Sequence, residues 1–422
     1  MRAVRLGICV LIFGVVCAGP GAAAPAASPS ELPPLDPILA LPKYLVPNPN
    51  GYAALKELVK QVNETHRVWG DSKGGVYHAP SREAELAAVP AQLADNRTPL
   101  SALKRALDME WLNPDAPAPD MLFPELSKVS YLARLWVQEA NLFDQKGQEQ
   151  AAIGNLLDAL KLGVKVPRGG PEFPWLMGRM IESPALKELR RLIANHRLPV
   201  EVLTPLPDQL RDLVRQKVPL REIVAMDYEC QGPQSLKLSA EEFWKLLGGS
   251  PDFVPMLKLP GADAVSRDFI PRFLPKLMSW DAQIAELSAE PYGSARDKVA
   301  ALTKGTKESY DADVMRPFPS WSLLRQGESQ CYWRGTRIMA GLELDRAARG
   351  KYAEQLGQVK GMAPEDLVDP FSGKPLVYRP QGDGYVLYST GPDGKDHGGH
   401  RQRQPVVEGS DLMLWPDNPP QP

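Results

Sequence analysis

The chain has 422 residues, a formal net charge of −2 and a charged fraction of 24%. Acidic and basic residues are interspersed, without a basic stripe, which argues against nucleic acid and anionic lipid as partners. A chain of this length can bury a large core and can hold more than one domain.

Residues 1–24 have the organisation of a secretory signal peptide. Arg2 and Arg5 precede about thirteen apolar residues, Leu6 to Ala18, and small residues at 22–24 follow as a cleavage site. About thirteen residues are too few for a membrane span of about twenty. We therefore expect an extracytoplasmic protein, periplasmic or secreted, with no stable membrane span. An uncleaved anchor is the alternative.

The remaining chain divides by composition into four parts. Residues 25–50 are rich in proline and alanine and predict a linker with little regular structure. Residues 51–333 predict a helical body, residues 334–400 a compact C-terminal module, and residues 401–422 a flexible tail.

Apolar spacing in the body is mostly helical. Two stripes fall on single helix faces, and they comprise Tyr52, Leu55, Leu58, Val59, Val62 and His66, then Leu100, Leu103, Leu107 and Trp111. Prolines recur throughout, so we expect many short helices. His66, at the end of its stripe, is interpreted as a core or helix-end residue.

One pair of predicted helices has the spacing of a tetratricopeptide repeat. Its signature residues are Trp136, Ala140, Phe143, Gly147, Ala152, Leu156 and Ala159. Small residues let two antiparallel helices approach, while large residues fill the groove between them. One repeat cannot bury its own faces, so we expect further helical hairpins on either side.

The sequence of the C-terminal module predicts a β-hairpin packed on a helix. The helix spans about residues 334–349, the strands are residues 375–378 and 385–388, and Gln381 to Gly384 form the turn. A hairpin alone is marginal in water, so its apolar face must pack on the helix.

The loop after the second strand carries candidate cation ligands. Ser389, Asp393 and Asp396 offer the oxygen atoms that calcium prefers, in a glycine-rich segment. The alternative is a solvated turn. His397 and His400 also suggest a transition metal, but no further His or Cys lies nearby in the sequence.

Two separated regions resemble known families. Asp369 to Pro375, Tyr385 to Ser389 and Gly391 to Gly394 follow a helix in the order found in the C-terminal half of the type II secretion major pseudopilins. The same module, with residues 126–183, resembles uncharacterised exported proteins, mainly of planctomycete type. The resemblance implies a small antiparallel sheet against a long helix and calcium bound by Ser389, Asp393 and Asp396. No prepilin signature follows the leader, so assembly into a fibre is not implied.

Cys230 and Cys331 are the two cysteines that remain after the leader. In an oxidising compartment they either form a disulfide or remain as two buried thiols.

No common catalytic motif occurs in the sequence. Asp263, Asp268 and Asp281, and also Asp227 with Glu229, are acids from which a glycosidase pair could be built, but solvated surface is the default interpretation. Aromatic residues stand beside prolines at 172–176 and 319–321, and both segments are predicted to be loops. Their aromatic side chains either line a binding groove or fill the space between helices.

The sequence therefore predicts a mainly α fold: an irregular or repeat-like helical-hairpin array with a small C-terminal α+β module. The function that it favours is a non-enzymatic, exported protein–protein interaction or assembly protein of the cell envelope, with a protein or peptide partner. The alternatives are an extracytoplasmic hydrolase and a subunit of a type II secretion-like apparatus.

Overall fold

The computed structural model describes residues 44–67, 71–73, 76–78, 81–113, 124–195, 198–235, 282–303, 317–399 and 410–414. Within these ranges the protein is mainly helical, with a small antiparallel sheet near the C-terminus, as the sequence predicts. No helix among the described residues is both long enough and apolar enough to cross a membrane.

The named helices are α1 (Gly51–Leu58), α2 (Arg82–Asp95), α3 (Arg97–Ala106), α4 (Pro124–Gln145), α5 (Glu149–Lys165), α6 (Glu172–Ala194), α7 (Val200–Leu203), α8 (Leu206–Arg215), α9 (Leu220–Ser235), α10 (Tyr292–Thr303) and α11 (Pro317–Arg349). The strands are β1 (Asp71–Lys73), β2 (Val76–His78), β3 (Val377–Gln381), β4 (Gly384–Ser389) and β5 (Leu412–Met413).

The first helix is fixed to the chain that follows α3. The Asn50 side chain caps α1 by accepting a hydrogen bond from the Tyr52 N–H at 3.0 Å. The same amide donates to the Leu112 carbonyl at 2.8 Å. One asparagine thus starts a helix and ties it to a segment about sixty residues later.

The predicted tetratricopeptide-like pair forms a helical hairpin. α4 and α5 pack closely, and Gly147, with φ +65°, makes the turn between them. Four signature residues of the predicted repeat are fully buried in this hairpin, namely Ala140, Ala152, Leu156 and Ala159. α6 then packs on both helices, which supplies the cover that one hairpin lacks.

The expectation of many short helices is wrong for α4, α5, α6 and α11, which have 22, 17, 23 and 33 residues. Pro184 lies inside α6. A proline removes one helical hydrogen bond, but the buried apolar face of this long helix stabilises it and offsets that loss. Residues 172–176, predicted as a loop, form the first turns of α6.

The longest helix, α11, belongs to both the body and the C-terminal module. It begins at Pro317, whereas the sequence predicted a helix from about residue 334, and it contacts α6 and α8 as well as the sheet. The boundary predicted at residue 333 therefore falls inside one continuous helix.

The C-terminal sheet has the strand order β3-β4-β5. β3 pairs with β4 through the predicted hairpin, with Val377 opposite Tyr388 and Gln381 opposite Gly384. β5 then pairs antiparallel with the end of β4. Residues 410–414 fall in the predicted flexible tail, yet they contribute this third strand, because Leu412 and Leu414 are buried there.

Three glycines of α11 let the C-terminal module approach the helix closely. A Cβ at Gly327 would lie 3.2 Å from the Phe371 ring, and one at Gly335 would lie 2.9 Å from Leu414. At Gly341 the neighbour is Val359, at 2.7 Å. Larger residues at these positions would force the module away from the helix.

Candidate functional site

Ser389, Asp393 and Asp396, the predicted cation ligands, lie at the end of β4 and in the loop after it. Ser389 is fully buried, and its hydroxyl donates to Asp369 Oδ1 at 2.8 Å. The Asp393 carboxylate lies 2.9 Å from the Nε2 atom of His397. Each of these two residues therefore has a partner within the protein.

Asp396 is held by donors on either side of it. Its Oδ1 atom accepts hydrogen bonds from the Tyr388 hydroxyl at 2.7 Å and from the Gly398 N–H at 2.8 Å. These bonds lower the pKa of Asp396 below its usual value. In return, desolvation and this carboxylate raise the pKa of Tyr388 to about 12.

Calcium at this loop would have to replace these protein partners. Among the described residues, no group of three His, Cys, Asp or Glu side chains lies close enough to hold a metal ion. The oxygens are of the type that calcium prefers, but the structure uses them in local hydrogen bonds. The calcium site therefore stays a prediction.

The hub of this region is Asp369, which no pattern in the sequence marks as a site residue. Its carboxylate is fully buried. It accepts four hydrogen bonds at 2.8–3.1 Å from groups in the turn before β3, at the end of β4 and just after β4. A thiol makes a weaker contact with it at 3.9 Å. The donors are Phe371 N, Ser372 Oγ, Ser389 Oγ, Thr390 Oγ1 and Cys331 Sγ. The Thr390 N–H adds a further bond at 3.0 Å. This carboxylate joins α11, the turn and the sheet.

A second buried carboxylate, Asp411, closes the loop from the other side. Its two oxygens accept hydrogen bonds from the His397 N–H at 3.2 Å and 3.1 Å, and Oδ2 accepts one from the Gly399 N–H at 2.7 Å. It precedes β5, so the strand and the loop are fixed together. Asp369 and Asp411 thus hold the C-terminal module together, and this module is called the C-terminal cap below.

Cys331 carries a free thiol that is fully buried beside Asp369. Burial raises the pKa of this thiol well above its usual value, so it stays protonated and weakly reactive. This matches the alternative of a buried thiol for Cys331. The Cys230 side chain lies outside the described part of the structure.

A charged recess lies where α5 and α6 cross, beside the loop after α8. Its lining includes Gly163, Pro167, Trp175, Arg179, Glu182 and Lys217. The empty volume is about 210 Å³, part of it open to solvent, and the enclosed portion has room for about one water molecule. Pockets for drug-sized ligands are larger, about 300–1,000 Å³.

Glu182 is the acid of the recess, and only 3% of it is exposed. Its Oε2 atom accepts hydrogen bonds from Lys217 Nζ at 2.5 Å, from the Trp333 indole N–H at 3.0 Å and from the Ser329 hydroxyl at 3.4 Å. Lys217 also lies 5.1 Å from the centre of the Trp333 ring. This ion pair is therefore fixed by several contacts.

Arg179 also lines the recess. Its guanidinium lies 4.7 Å from the centre of the Trp175 ring, a cation–π contact. Burial lowers the pKa of Arg179 to about 10, although Glu182 and Glu328 oppose this shift. Within the described residues, Arg179 makes no salt bridge and no hydrogen bond through its side chain.

The outer face of α6 carries an apolar stripe next to Arg179. It consists of Phe173, Leu176, Met180 and Pro184, spaced at i, i+3, i+7 and i+11. Phe173 is 44% exposed and Met180 is 48% exposed. Scattered exposed apolar side chains are ordinary, whereas an aligned set on one helix face marks a contact surface.

Most of the acids considered for catalysis lie outside the described part of the structure: Asp263, Asp268, Asp281 and the side chain of Asp227. Glu229 is exposed on α9. Among the residues that line the recess, Glu182 is the one carboxylate, and Lys217 neutralises it. A glycosidase needs two carboxylates on opposite sides of a bond, which the described lining of this recess does not offer.

Comparisons with models of protein families, with curated proteins and with solved structures find no match to this chain.

Asp369, Glu182 and Arg179 were missed because their importance depends on burial and partners. Asp369 appeared in the sequence as part of a proline-flanked turn, and Arg179 and Glu182 as charges on a helix. One signal was present: Trp175 and Glu182 fall on the helix face that bears the buried residues Met177, Gly178 and Ile181. An acid placed within an apolar face suggests a buried partner.

Proposed function

We propose that this chain is an exported, non-enzymatic protein–protein interaction protein of the cell envelope. Its binding surface is the apolar stripe of α6, and its C-terminal cap stabilises the fold without binding the partner. The exposure of the stripe is the observation that carries this proposal, since Phe173 and Met180 lie two turns apart on one face and are 44% and 48% exposed.

The packing behind the stripe supports a role in binding. The opposite side of α6 is buried against α4, α5 and α11, with Ile181, Ala185 and Leu189 at most 2% exposed. The helix is thus held on a rigid base, and a partner binding to the stripe does not have to order it.

Site-specific photo-crosslinking in the cell that produces the protein tests this proposal. A photoreactive residue at position 176 should give an adduct with a specific protein, identified by mass spectrometry. Met180→Glu should abolish this adduct, because a charge replaces the apolar contact. Fold stability should change by no more than about 0.5 kcal/mol, since the side chain is exposed.

Val214 provides the matched control. It is a large exposed apolar residue on α8, at 37% exposure, and it is not part of the stripe. Val214→Glu should leave the adduct unchanged. Equal loss of the adduct in both variants, or no adduct at all from position 176, would reject the stripe as a binding surface. An adduct of twice the chain's mass would identify a second copy as the partner.

A further inference from the structure

We propose that the recess beside Arg179 receives a carboxylate group, carried by a partner polypeptide that lies on the apolar stripe of α6. This inference rests on the proposed function for the polypeptide, while the carboxylate preference follows from the recess itself.

The charges in the recess do not balance. Arg179 and Lys217 line the recess as two cations, and Glu182, the acid of its described lining, is bound to Lys217 at 2.5 Å. The charge of Glu328 also acts on Arg179, but Glu328 is bound to Arg325 at 2.7 Å. Arg179 stacks on Trp175 instead of pairing with a carboxylate among the described residues. A half-buried guanidinium with no carboxylate in direct contact is a binding group for an anion, because little water remains to solvate it.

The shape of the site favours a carboxylate over other anions. A guanidinium presents a planar fork of N–H donors that matches the two oxygens of a carboxylate. The enclosed part of the recess holds only about one water molecule, so a carboxylate would meet the guanidinium in the part that is open to solvent. Glu182 lies at the same site, and its charge disfavours a dianion more than a monoanion.

The position of Arg179 links the recess to the stripe. Arg179 directly precedes Met180 and lies three residues after Leu176, so it borders the stripe on the helix surface. An apolar segment docked on the stripe would place one of its side chains over Arg179. An acidic side chain or a C-terminal carboxylate at that point would contact the guanidinium of Arg179 directly.

The preference of the recess for a carboxylate can be tested by NMR of the arginine Nε–H groups in the full mature chain. Titration with acetate should shift the Arg179 signal, assigned with Arg179→Lys, saturably in the millimolar range. Acetamide, the neutral analogue of the same shape, should leave it unchanged. Arg215, an exposed arginine on α8, is the control signal and should move only in proportion to ionic strength.

A second measurement uses Glu182→Gln, which removes the negative charge of the recess and keeps the side-chain shape. If the variant folds, acetate should bind about two- to tenfold more tightly, because repulsion between two anions is lost. The wild-type comparison of acetate with acetamide does not depend on this variant. If acetate and acetamide give the same Arg179 response, or if acetate gives none up to 100 mM, the recess does not select carboxylates.

Two blocked peptides separate a free carboxylate from one on a polypeptide. Acetyl-Leu-Leu-Glu-Leu-amide should bind at least about tenfold more tightly than acetate and than its Gln analogue, since stripe and recess then act together. Met180→Ser, which removes the apolar side chain without adding a charge beside Arg179, should remove the peptide's advantage and leave the acetate response unchanged. If the two peptides bind equally, the partner's carboxylate does not enter the recess; this outcome is independent of the cross-linking result.

Discussion

At the scale of residues, the most constrained group is the carboxylate of Asp369. It is fully buried and accepts hydrogen bonds from donors on the turn, on β4 and just after it. Placing a charge in the interior is costly unless several donors replace water, and here they do. Its contribution is to fix the sheet on α11.

Asp369→Asn should reduce the free energy of unfolding by about 2–4 kcal/mol. The amide keeps the size of the carboxylate, but its NH₂ group faces N–H and O–H donors that then have no acceptor. Urea unfolding followed by circular dichroism measures the difference. Asp383→Asn is the control, because Asp383 is exposed in the β3–β4 turn and should change stability by less than about 0.5 kcal/mol. Similar losses in both variants would show that the Asp369 network is not important for stability.

The calcium prediction also concerns single residues, namely Ser389, Asp393 and Asp396. If the loop binds calcium, the melting temperature of the mature protein should rise with calcium and fall with chelator. At about a hundred times the dissociation constant, the gain is about 2.7 kcal/mol. Asp393→Ala should remove the calcium response. A wild-type melting temperature that is indifferent to both calcium and chelator would reject the site.

At the scale of elements, the crossing of α5 and α6 positions the recess. A Cβ at Gly163 would lie 2.7 Å from Cγ of Glu182 and 2.8 Å from the Gly178 carbonyl oxygen. The two helices meet through glycine because any side chain would separate them. This close approach brings Glu182 beside Lys217, with Arg179 in the same lining.

Gly163→Ala and Gly154→Ala form a matched pair in α5. Gly163→Ala should destabilise the protein by about 1–3 kcal/mol, because the new methyl group overlaps backbone that cannot move freely. Gly154 has no neighbour within 4 Å of a built Cβ, so Gly154→Ala should stabilise it by about 0.5–1 kcal/mol through helix propensity. Thermal unfolding of both variants gives the two values. Stabilisation by both substitutions would contradict the close helix crossing.

At the scale of the whole molecule, α11 unites the body and the cap. Its 33 residues contact α6 and α8 on one part and the sheet on another. Arg337 shows this dual role, since it donates to the Pro207 carbonyl at 3.2 Å and forms a buried salt bridge with Asp366. The stripe of α6 and the cap are therefore attached to one rigid element, although the cap takes no part in the recess.

The sequence alone was sufficient for local structure. Period-3.6 stripes predicted α1 and α3, although both stripes run past the ends of these helices, and the repeat-like pattern predicted the α4–α5 hairpin. Aromatic and branched residues on either side of the turn from Gln381 to Gly384 predicted β3 and β4. These features depend on residues close together in the chain, so their spacing is visible in the sequence. The predicted cation ligands were chosen in the same way, from one short loop.

The tertiary structure decided which of the many charged side chains are buried and with what partner. Asp369 meets donors from Cys331 to Thr390, and Glu182 meets Lys217 and Trp333, which lie 35 and 151 residues away in the chain. The sequence contains 51 acidic residues, and apart from the position of Glu182 on an apolar helix face, nothing local distinguishes these two from the rest. The environment of a charge depends on long-range packing, which only the folded chain determines.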